Sequence, residues 1–543
     1  MDLQRTRIFL LVSLFVVGLV LFSTWQQEQV PVTPSSMDTT EDAPKQGDMP
    51  YIASAAPALA NEALPTPVSR DLIQVETDVL KVKIDPVGGD IVFAELTAYP
   101  KDQNNPDVGF TLLDTTAQRN YVVQSGLIGK DELGPDSHQA GRAHYQVSQR
   151  QFNLGDQDAL SVDLQWQNPQ GIQVTKSYVF KKNQYLVDVF YRVHNATQAP
   201  WHASFYGQVR REHAKEKSNG LLGVQMYQGA ALYTPDKPYK KISYSDMKKQ
   251  PFRQQIEGGW AAMLEHYFLS SWIPNPSSLN NYYTRLDNQD VYNIGAVSSL
   301  EVPANSVQTV GAQIYMGPEK ADVLKNISKG LNLTVDYGIL WPISQMLFWL
   351  LKTIHHYIGN WGFSIIFVTL FIKLAFYKLS AASYRSMGKM RLLQPRIELL
   401  KTRYKDDKQQ FSAALMDLYK KEKLNPLGGC LPIVIQIPVF IALYYVLLES
   451  VELRHAPFIL WITDLSSKDP YYILPLFMGA TMFLQQRMNP APPDPIQAKV
   501  MMFMPVVFTV LFLSFPAGLV LYWTVNNLLS ILQQWFITRG LGR

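Results

Sequence analysis

The chain is 543 residues long, too many for a single hydrophobic core, so we expect more than one domain. Its 49 basic and 45 acidic residues give a formal net charge of only +4, which argues against direct recognition of nucleic acid. The lone cysteine, Cys430, cannot form a disulfide within the chain and predicts no dependence on an oxidising compartment.

The N-terminus combines basic residues with an apolar run. Arg5 and Arg7 precede residues 8–22, which are apolar or small and fit either a signal peptide or a membrane anchor. Because no small-residue cleavage site follows directly, we favour an uncleaved anchor at 1–29 with its N-terminus in the cytoplasm. Residues 30–61 are rich in Pro, Ser, Thr and Ala and predict a disordered linker beyond the membrane.

Residues 62–333 predict an all-β domain. Apolar and polar residues alternate with the period of a strand, and Gly, Pro and Asn separate the segments. A helix at 318–330, with Pro and Glu near its start and Gly at its end, is expected to close this β-sandwich. The clearest alternating segments are 79–85, 160–166, 172–180 and 185–193.

The remainder predicts a helical membrane domain. Residues 334–358 mix aromatic side chains, Lys352 and two histidines with leucines, which is typical of an amphipathic helix in the membrane interface. Residues 359–543 contain five apolar segments, so with the anchor we expect six transmembrane helices and both termini on one side. The five segments are 361–377, 427–448, 471–484, 500–515 and 517–536.

The segments 471–484 and 500–515 are short for a bilayer about 30 Å thick. Either the bilayer thins around them or the helices extend beyond their apolar residues, through Gln485 and Gln486 in the first case.

Charge in the loops predicts the orientation. Lysines and arginines accumulate in 378–423, whereas the opposite loop, 449–469, is acidic. Cytoplasmic loops carry the excess of basic residues, so both termini are expected in the cytoplasm and the β-domain in the periplasm.

A helical hairpin is predicted at 384–423. Apolar residues recur with helical spacing on two stretches that are broken around Asp406 and Asp407. Its basic residues are either a solvated surface or a docking surface for incoming chains or the ribosome. The residues of this candidate surface are Arg385, Lys389, Arg391, Arg396, Lys401 and Arg403.

Lys373 lies inside the first apolar segment, where a cation in hydrocarbon costs about 2.5 to 3.5 kcal/mol. Thr369 precedes it by one helical turn on the same face. The lysine either reaches towards the end of the helix or lies in polar surroundings, and this segment alone leaves both possibilities open.

Two other apolar segments carry polar side chains at membrane depth. Gln436 lies between two prolines, and Tyr522, Trp523, Asn526 and Asn527 form a cluster in the last segment. Such groups are often ordinary contacts between helices. Together with Lys373, however, they favour a groove that is open to water within the membrane.

No catalytic motif is present in the sequence. It lacks a Walker loop, a G-x-S-x-G motif and any cluster of His or Cys with metal-ligand spacing. We therefore expect no cofactor, no bound metal and no hydrolytic activity.

Four long segments carry a family resemblance: 359–373 (GNWGFSIIFVTLFIK), 424–445 (LNPLGGCLPIVIQIPVFIALYY), 469–483 (DPYYILPLFMGATMF) and 503–523 (FMPVVFTVLFLSFPAGLVLYW). The chain resembles the bacterial YidC membrane protein insertases over its whole length. The resemblance implies an inner-membrane insertase and chaperone with a five-helix core, which inserts nascent proteins alone or beside the Sec translocon. It also implies a periplasmic β-supersandwich similar to galactose mutarotase folds.

The resemblance further implies a hydrophilic groove that is open to the cytoplasm and closed to the periplasm. Lys373 takes the place of the cation that lines the groove in the family, where many members have arginine. Trp523 stands where tyrosine is common, and the short tail after Thr538 implies weak ribosome binding. The implied groove residues are Lys373, Thr369, Gln436, Tyr522, Trp523 and Asn526.

The implied partners are nascent membrane proteins, the Sec translocon with its accessory subunits, lipids and, weakly, the ribosome. One alternative is a secondary transporter whose intramembrane lysine binds an anion, but the repeats typical of transporters are not apparent. Another alternative is a membrane-anchored sugar-binding or epimerase module, which would be supported by analogy of fold alone.

Overall fold

A computed structural model describes residues 71–116, 119–130, 133–137, 141–212, 227–287, 290–404, 407–422, 431–490 and 495–539. The predicted anchor at 1–29, the linker at 30–61 and Cys430 lie outside these residues. The described chain forms two compact units, a strand-rich unit that extends to Asp336 and a helical unit that begins at Tyr337.

The strand-rich unit is built from two antiparallel sheets. Within the described residues, one sheet has the order β14-β17-β18-β11-β5-β4-β3-β2-β1-β7 and the other β13-β12-β15-β16-β19-β10-β9-β8-β6. β1 and β7 pair in parallel. The strands are β1 (Ile73–Glu76), β2 (Leu80–Asp85), β3 (Asp90–Asp102), β4 (Asn105–Thr116), β5 (Arg119–Gly129), β6 (Gln146–Val147), β7 (Gln151–Asn153), β8 (Ala159–Gln167), β9 (Ile172–Lys181), β10 (Leu186–Asn195), β11 (Trp201–Glu212), β12 (Gln228–Leu232), β13 (Lys240–Ile242), β14 (Arg253–Glu257), β15 (Ala261–Glu265), β16 (Phe268–Pro274), β17 (Leu279–Asp287), β18 (Val291–Val302) and β19 (Ser306–Pro318).

The alternating sequence segments form strands, as predicted. In β9 the side chains of Ile172, Val174 and Tyr178 point into the core, while Gln173 faces solvent. β2, β8 and β10 likewise coincide with predicted segments, so period-two burial against the opposing sheet accounts for these strands.

The helix predicted at 318–330 is shorter than expected. Pro318 is the last residue of β19, where it pairs with Phe268 of β16, and the Glu319 amide donates to the Tyr267 carbonyl. Strand hydrogen bonding therefore continues past the proline, and the helix occupies only Ala321–Ile327.

A network of buried charges lies in the strand-rich unit. Arg142 forms ion pairs with Asp90 and, at 3.4 Å, with Asp136. The Lys176 ammonium donates to the carbonyls of Gly88 and Ser125 at 3.0 and 3.1 Å. Burial lowers the pKa of Lys176 to about 7, although the Asp90 carboxylate opposes this shift. The charges are thus paired or hydrogen-bonded, as buried ions require.

Replacing Arg142 by alanine would leave Asp90 and Asp136 buried without their guanidinium partner. The loss should lower the free energy of unfolding by about 3 to 5 kcal/mol. Urea unfolding of the detergent-solubilised protein, followed by tryptophan fluorescence, measures the change. Arg192→Ala, at an exposed position of β10, is the matched control and should cost less than about 0.5 kcal/mol. Equal effects of the two substitutions would contradict the role of the network.

Within the described residues, the predicted apolar segments of the helical unit form helices, apart from a few residues at their ends. The helices of the described chain, including two short ones in the strand-rich unit, are α1 (Tyr244–Lys249), α2 (Ala321–Ile327), α3 (Trp341–Ile358), α4 (Trp361–Ala375), α5 (Tyr377–Leu392), α6 (Gln394–Arg403), α7 (Lys408–Lys421), α8 (Leu431–Glu449), α9 (Ile473–Met488), α10 (Pro495–Phe512) and α11 (Ala517–Arg539). α9 continues through Gln485 and Gln486, as considered for that segment, but its 16 residues span only about 24 Å and remain shorter than the hydrocarbon layer.

No single described helix is both long enough and apolar enough to cross a bilayer. α4 and α5 satisfy these criteria only when taken together, and they meet at an angle of 70°. The bend falls at Phe376, whose amide donates to the Ile372 carbonyl and closes the last turn of α4.

Local sequence sets the helix limits. Gly359 ends α3 with a left-handed backbone (φ +71°), and the Asn360 side chain then accepts a hydrogen bond from the Phe363 amide at the start of α4. Gly479 of α9 allows close packing against α10, because a Cβ atom there would lie 2.0 Å from the Thr509 hydroxyl oxygen.

The predicted helical hairpin is present, but its first arm begins at Tyr377, immediately after the bend. The arm continues through α6, and α7 returns against it. Leu393 and Ile397 from the first arm pack with Leu415 and Tyr419 from the second. These contacts bring the apolar residues of the two arms together.

Candidate functional site

Lys373 lies half-buried near the C-terminal end of α4. Its ammonium donates a hydrogen bond of 2.6 Å to the Ser530 hydroxyl of α11. Ser530 in turn donates to the Asn526 carbonyl, also at 2.6 Å. The cation is therefore held by a polar face of another helix, and within the described residues no carboxylate forms an ion pair with it.

Gln436 connects α8 to the same face of α11. Its side-chain amide donates to the Tyr522 hydroxyl at 3.0 Å and to the Asn526 side-chain carbonyl at 2.7 Å. Tyr522, Asn526 and Ser530 are spaced four residues apart, so they lie along one side of α11. This side supplies polar partners to both α4 and α8.

A small cleft opens beside these contacts. Lys373, Ser380 and Gln436 supply its polar lining, and apolar side chains form the rest of its wall. Polar groups that converge among apolar ones can fix the orientation of a bound group. The lining residues are Ile372, Lys373, Phe376, Leu379, Ser380, Ile435, Gln436 and Val439.

Of the six predicted groove residues, only Lys373 and Gln436 line the cleft. Tyr522 and Asn526 contact Gln436, whereas Thr369 and Trp523 do neither. Thr369 is buried, and its hydroxyl donates to the Ile365 carbonyl of its own helix at 2.7 Å. Trp523 packs among Phe440, Phe508 and Phe512, with ring centroids 4.7 to 6.0 Å away. The structure thus brings four of the six predicted groove residues together and places these two in packing roles.

Ser530 was not singled out from the sequence, although it holds the lysine. A signal was present, because Ser530 follows Asn526 by four residues and Tyr522 by eight. Ser380 also lines the cleft, although the sequence offered it only as the polar residue at the end of the segment towards which Lys373 could reach. It follows Lys373 by seven residues, and the bend at Phe376 lies between them.

The six basic residues of the candidate docking surface are all exposed on the first arm of the hairpin. Arg396 pairs with Glu422 at 2.9 Å, and both side chains remain largely accessible. Exposed pairs of this kind contribute little to stability, so the surface is available for contacts with other molecules.

Both units match known families. Residues 72–350 match the family described as YidC periplasmic domain, and residues 353–542 match the family described as 60Kd inner membrane protein. The membrane protein insertase YidC of Stutzerimonas stutzeri (strain A1501) is 49% identical, with 99% of this chain and 98% of that protein covered. The chain belongs to the YidC family of membrane protein insertases. The YidC resemblance inferred from the sequence is confirmed.

A second curated relative agrees with this YidC assignment, and two solved structures are also similar to the chain. The membrane protein insertase YidC of Azotobacter vinelandii (strain DJ / ATCC BAA-1303) is 47% identical, with 100% of this chain and 99% of that protein covered. A solved structure of an active YidC insertase covers 86% of this chain and 92% of its own at 21% identity, with a TM-score of 0.37. A galactose mutarotase related enzyme from Lactobacillus acidophilus covers 45% and 97%, at 11% identity and a TM-score of 0.30.

The bond between Gln436 and Asn526 can be measured with a double-mutant cycle of Gln436→Ala and Asn526→Ala. Polar pairs between membrane helices average about 0.6 kcal/mol and reach about 1.7 kcal/mol, and we expect a coupling energy in this range. Unfolding of the solubilised YidC protein in a denaturing detergent gives the four free energies.

The control cycle combines Gln436→Ala with Asn527→Ala. Asn527 is next in sequence, but its amide donates to the Thr481 hydroxyl at 3.2 Å. This pair should show no coupling, and a zero value for Gln436 with Asn526 would contradict the observed geometry.

Proposed function

We propose that this chain inserts nascent proteins into the bacterial inner membrane and assists their folding, without using a nucleotide itself. The proposal rests on family membership and on one observation in particular. Lys373 is a half-buried cation on the wall of a cleft, with a hydroxyl partner and no carboxylate partner among the described residues. Such a site can receive an anionic group.

The proposed topology has six transmembrane helices, with both termini in the cytoplasm. The anchor at 1–29 and the linker at 30–61 precede a periplasmic domain at 62–333 and an interfacial helix at 334–358, and the insertase core follows at 359–543. The basic composition of 378–423 and the acidic loop opposite support this orientation. The exposed Trp341 and Trp349 on α3 suit a helix lying in the interface.

The cleft is proposed to open towards the cytoplasm and the lipid and to be closed towards the periplasm. A substrate would place its hydrophilic flank in the cleft, where Lys373 attracts acidic side chains and Gln436 offers an amide. The apolar segment of the substrate would meanwhile enter the lipid. Its burial supplies the driving force, at about 25 cal/mol per Å² of apolar surface.

Short helices support a thinned bilayer around the core. At 1.5 Å per residue, the 15 residues of α4 and the 16 of α9 span about 22 and 24 Å, against about 30 Å of hydrocarbon. A bilayer that adapts to these lengths is locally thinner. The path that a polar flank must cross is then shorter.

We propose that the hairpin meets partners on the cytoplasmic side. Its exposed cations can attract acidic segments of incoming chains and, weakly, the ribosome, and the Sec translocon with its accessory subunits is the proposed membrane partner. The candidate docking residues remain Arg385, Lys389, Arg391, Arg396, Lys401 and Arg403.

Charge reversal at Lys373 tests the mechanism. Opposite charges about 4 Å apart interact by about 4 kcal/mol at an effective dielectric constant of about 20, so Lys373→Glu replaces attraction by repulsion of similar size. Insertion of a Sec-independent substrate with an acidic flank into reconstituted vesicles should fall by at least about tenfold, which corresponds to about 1.4 kcal/mol.

Lys373→Arg is the matched control, because it keeps the charge, and it should retain most of the insertion activity. A substrate whose flank carries lysines in place of acidic residues should be affected less by Lys373→Glu. Unchanged insertion of the acidic substrate by the Glu variant would refute the role of the charge.

A further inference from the structure

The first arm of the hairpin carries an ordered stripe of cations and leucines. Its members are separated alternately by four and three residues along α5 and α6. Leu393, between these helices, keeps a right-handed helical backbone (φ −85°, ψ −4°), so the members lie on one side of the arm. We call this set the basic–leucine stripe. It consists of Arg385, Lys389, Leu392, Arg396, Leu399 and Arg403, and all six side chains are exposed.

The two leucines are unusually accessible. Leu392 is 61% exposed and Leu399 is 71% exposed, although other apolar residues of the same arm pack against α7. The second arm differs, because α7 shows no exposed large apolar side chain among its described residues. The exposure is therefore specific to one arm and is not a general property of the hairpin.

The stripe is also strongly basic. Its four cations have no acidic residue among them, and only Arg396 has an ion pair with a carboxylate, that of Glu422, within the described residues. Glu398 points to a different side of α6, since it is separated from Leu392 by six residues and from Leu399 by one. The complementary surface must be anionic and must also accept leucine side chains.

The geometry of the chain favours a membrane surface. α5 turns by 70° from the axis of α4 at Phe376. If α4 crosses the bilayer near its normal, α5 runs within about 20° of the membrane plane, which is comparable to the usual tilt of spanning helices. The stripe begins at Arg385, about 15 Å along the chain from the end of α4.

A partner helix would fit the stripe less well. In a coiled-coil seam, the alternating positions would bury Lys389 and Arg396 beside the leucines, and a buried cation requires a matched anion at each position. At a lipid surface, leucines enter the boundary of the acyl chains while guanidinium and ammonium groups remain among the phosphates. The lipid surface satisfies both groups at once.

We propose that the basic–leucine stripe lies on the cytoplasmic leaflet and binds anionic lipid headgroups, which anchors the first arm beside the cleft. This inference rests on the proposed membrane placement of α4. Four of the six candidate docking residues then face lipid, so contacts of the hairpin with incoming chains fall to Arg391 and Lys401, which lie off the stripe.

The test uses the full chain with Cys430→Ser and one new cysteine, carrying a polarity-sensitive nitrobenzoxadiazole dye. Leu399→Cys places the dye on the stripe, and Ala413→Cys places it on the exposed side of α7 as the matched control. The protein is reconstituted in nanodiscs of phosphatidylcholine alone or of an equimolar mixture with phosphatidylglycerol. Emission wavelength and quenching by acyl-chain nitroxide lipids are measured.

At position 399 the dye should shift to the blue and be quenched in the anionic nanodiscs, and both effects should weaken in phosphatidylcholine and in high salt. Position 413 should remain unchanged. Each basic residue near an anionic surface contributes about fivefold to the binding constant. Lys389→Gln and Arg403→Gln should therefore each lower the fraction of protein whose stripe contacts lipid, as long as that fraction is far from saturation.

Equal solvent exposure of the two positions in both lipids would overturn the proposal. If the shift is identical in both lipids, binding does not require anionic headgroups, and that part of the proposal is wrong. If the shift needs added ribosomes with nascent chains, the stripe binds a protein partner instead of lipid. Insertion by the same variants is measured separately in vesicles. Normal insertion without lipid contact at 399 would refute this inference and leave the insertase function standing.

Discussion

A cation inside an apolar helix is stable only where polar groups or water solvate it, and this constraint explains the arrangement of the helical unit. Lys373 of α4 contacts Ser530 of α11. Gln436 of α8 contacts Asn526 and Tyr522 of the same helix. α11 therefore connects two helices that would otherwise each carry an unsatisfied polar group, and the cleft forms where these contacts meet.

The two sides of α11 make different contacts. Tyr522, Asn526 and Ser530 lie on its polar side, whereas Trp523 packs among phenylalanines of α8 and α10. The aromatic side packs within the unit, and the polar side supplies partners to Lys373 and Gln436. This division suits the proposed mechanism, in which a substrate finds a polar path for its flank and direct access to lipid for its apolar segment.

Much of the secondary structure follows from local sequence, since strands such as β9 have one buried and one exposed face. The central strands β5 and β11 show no such alternation, because both of their faces are buried along most of their length. The helix limits were predictable only to within a few residues. Pro318 shows why, since a hydrogen bond of the strand to a distant segment decides where the helix begins.

The sequence indicates which residues belong to the candidate site, but it does not indicate which of them contact each other. Lys373 and Gln436 are conspicuous because polar groups are rare in apolar segments. Ser530, which is separated from Lys373 by 157 residues, is inconspicuous, and only the packing of α4 on α11 brings it near. Thr369 shares a helical face with Lys373, yet its hydroxyl is satisfied by its own backbone. Helical spacing indicates on which side of its own helix a residue lies, but tertiary structure determines which residue it contacts there.

The most direct test of the central claim is the reactivity of single cysteines with a membrane-impermeant maleimide, applied from either side of sealed inverted vesicles after Cys430→Ser. If water reaches the cation, cysteines at positions 373 and 436 should react from the cytoplasmic side, and a cysteine at the exposed apolar position 374 should not. Equal inertness at all three positions, or reaction from the periplasmic side alone, would contradict the account.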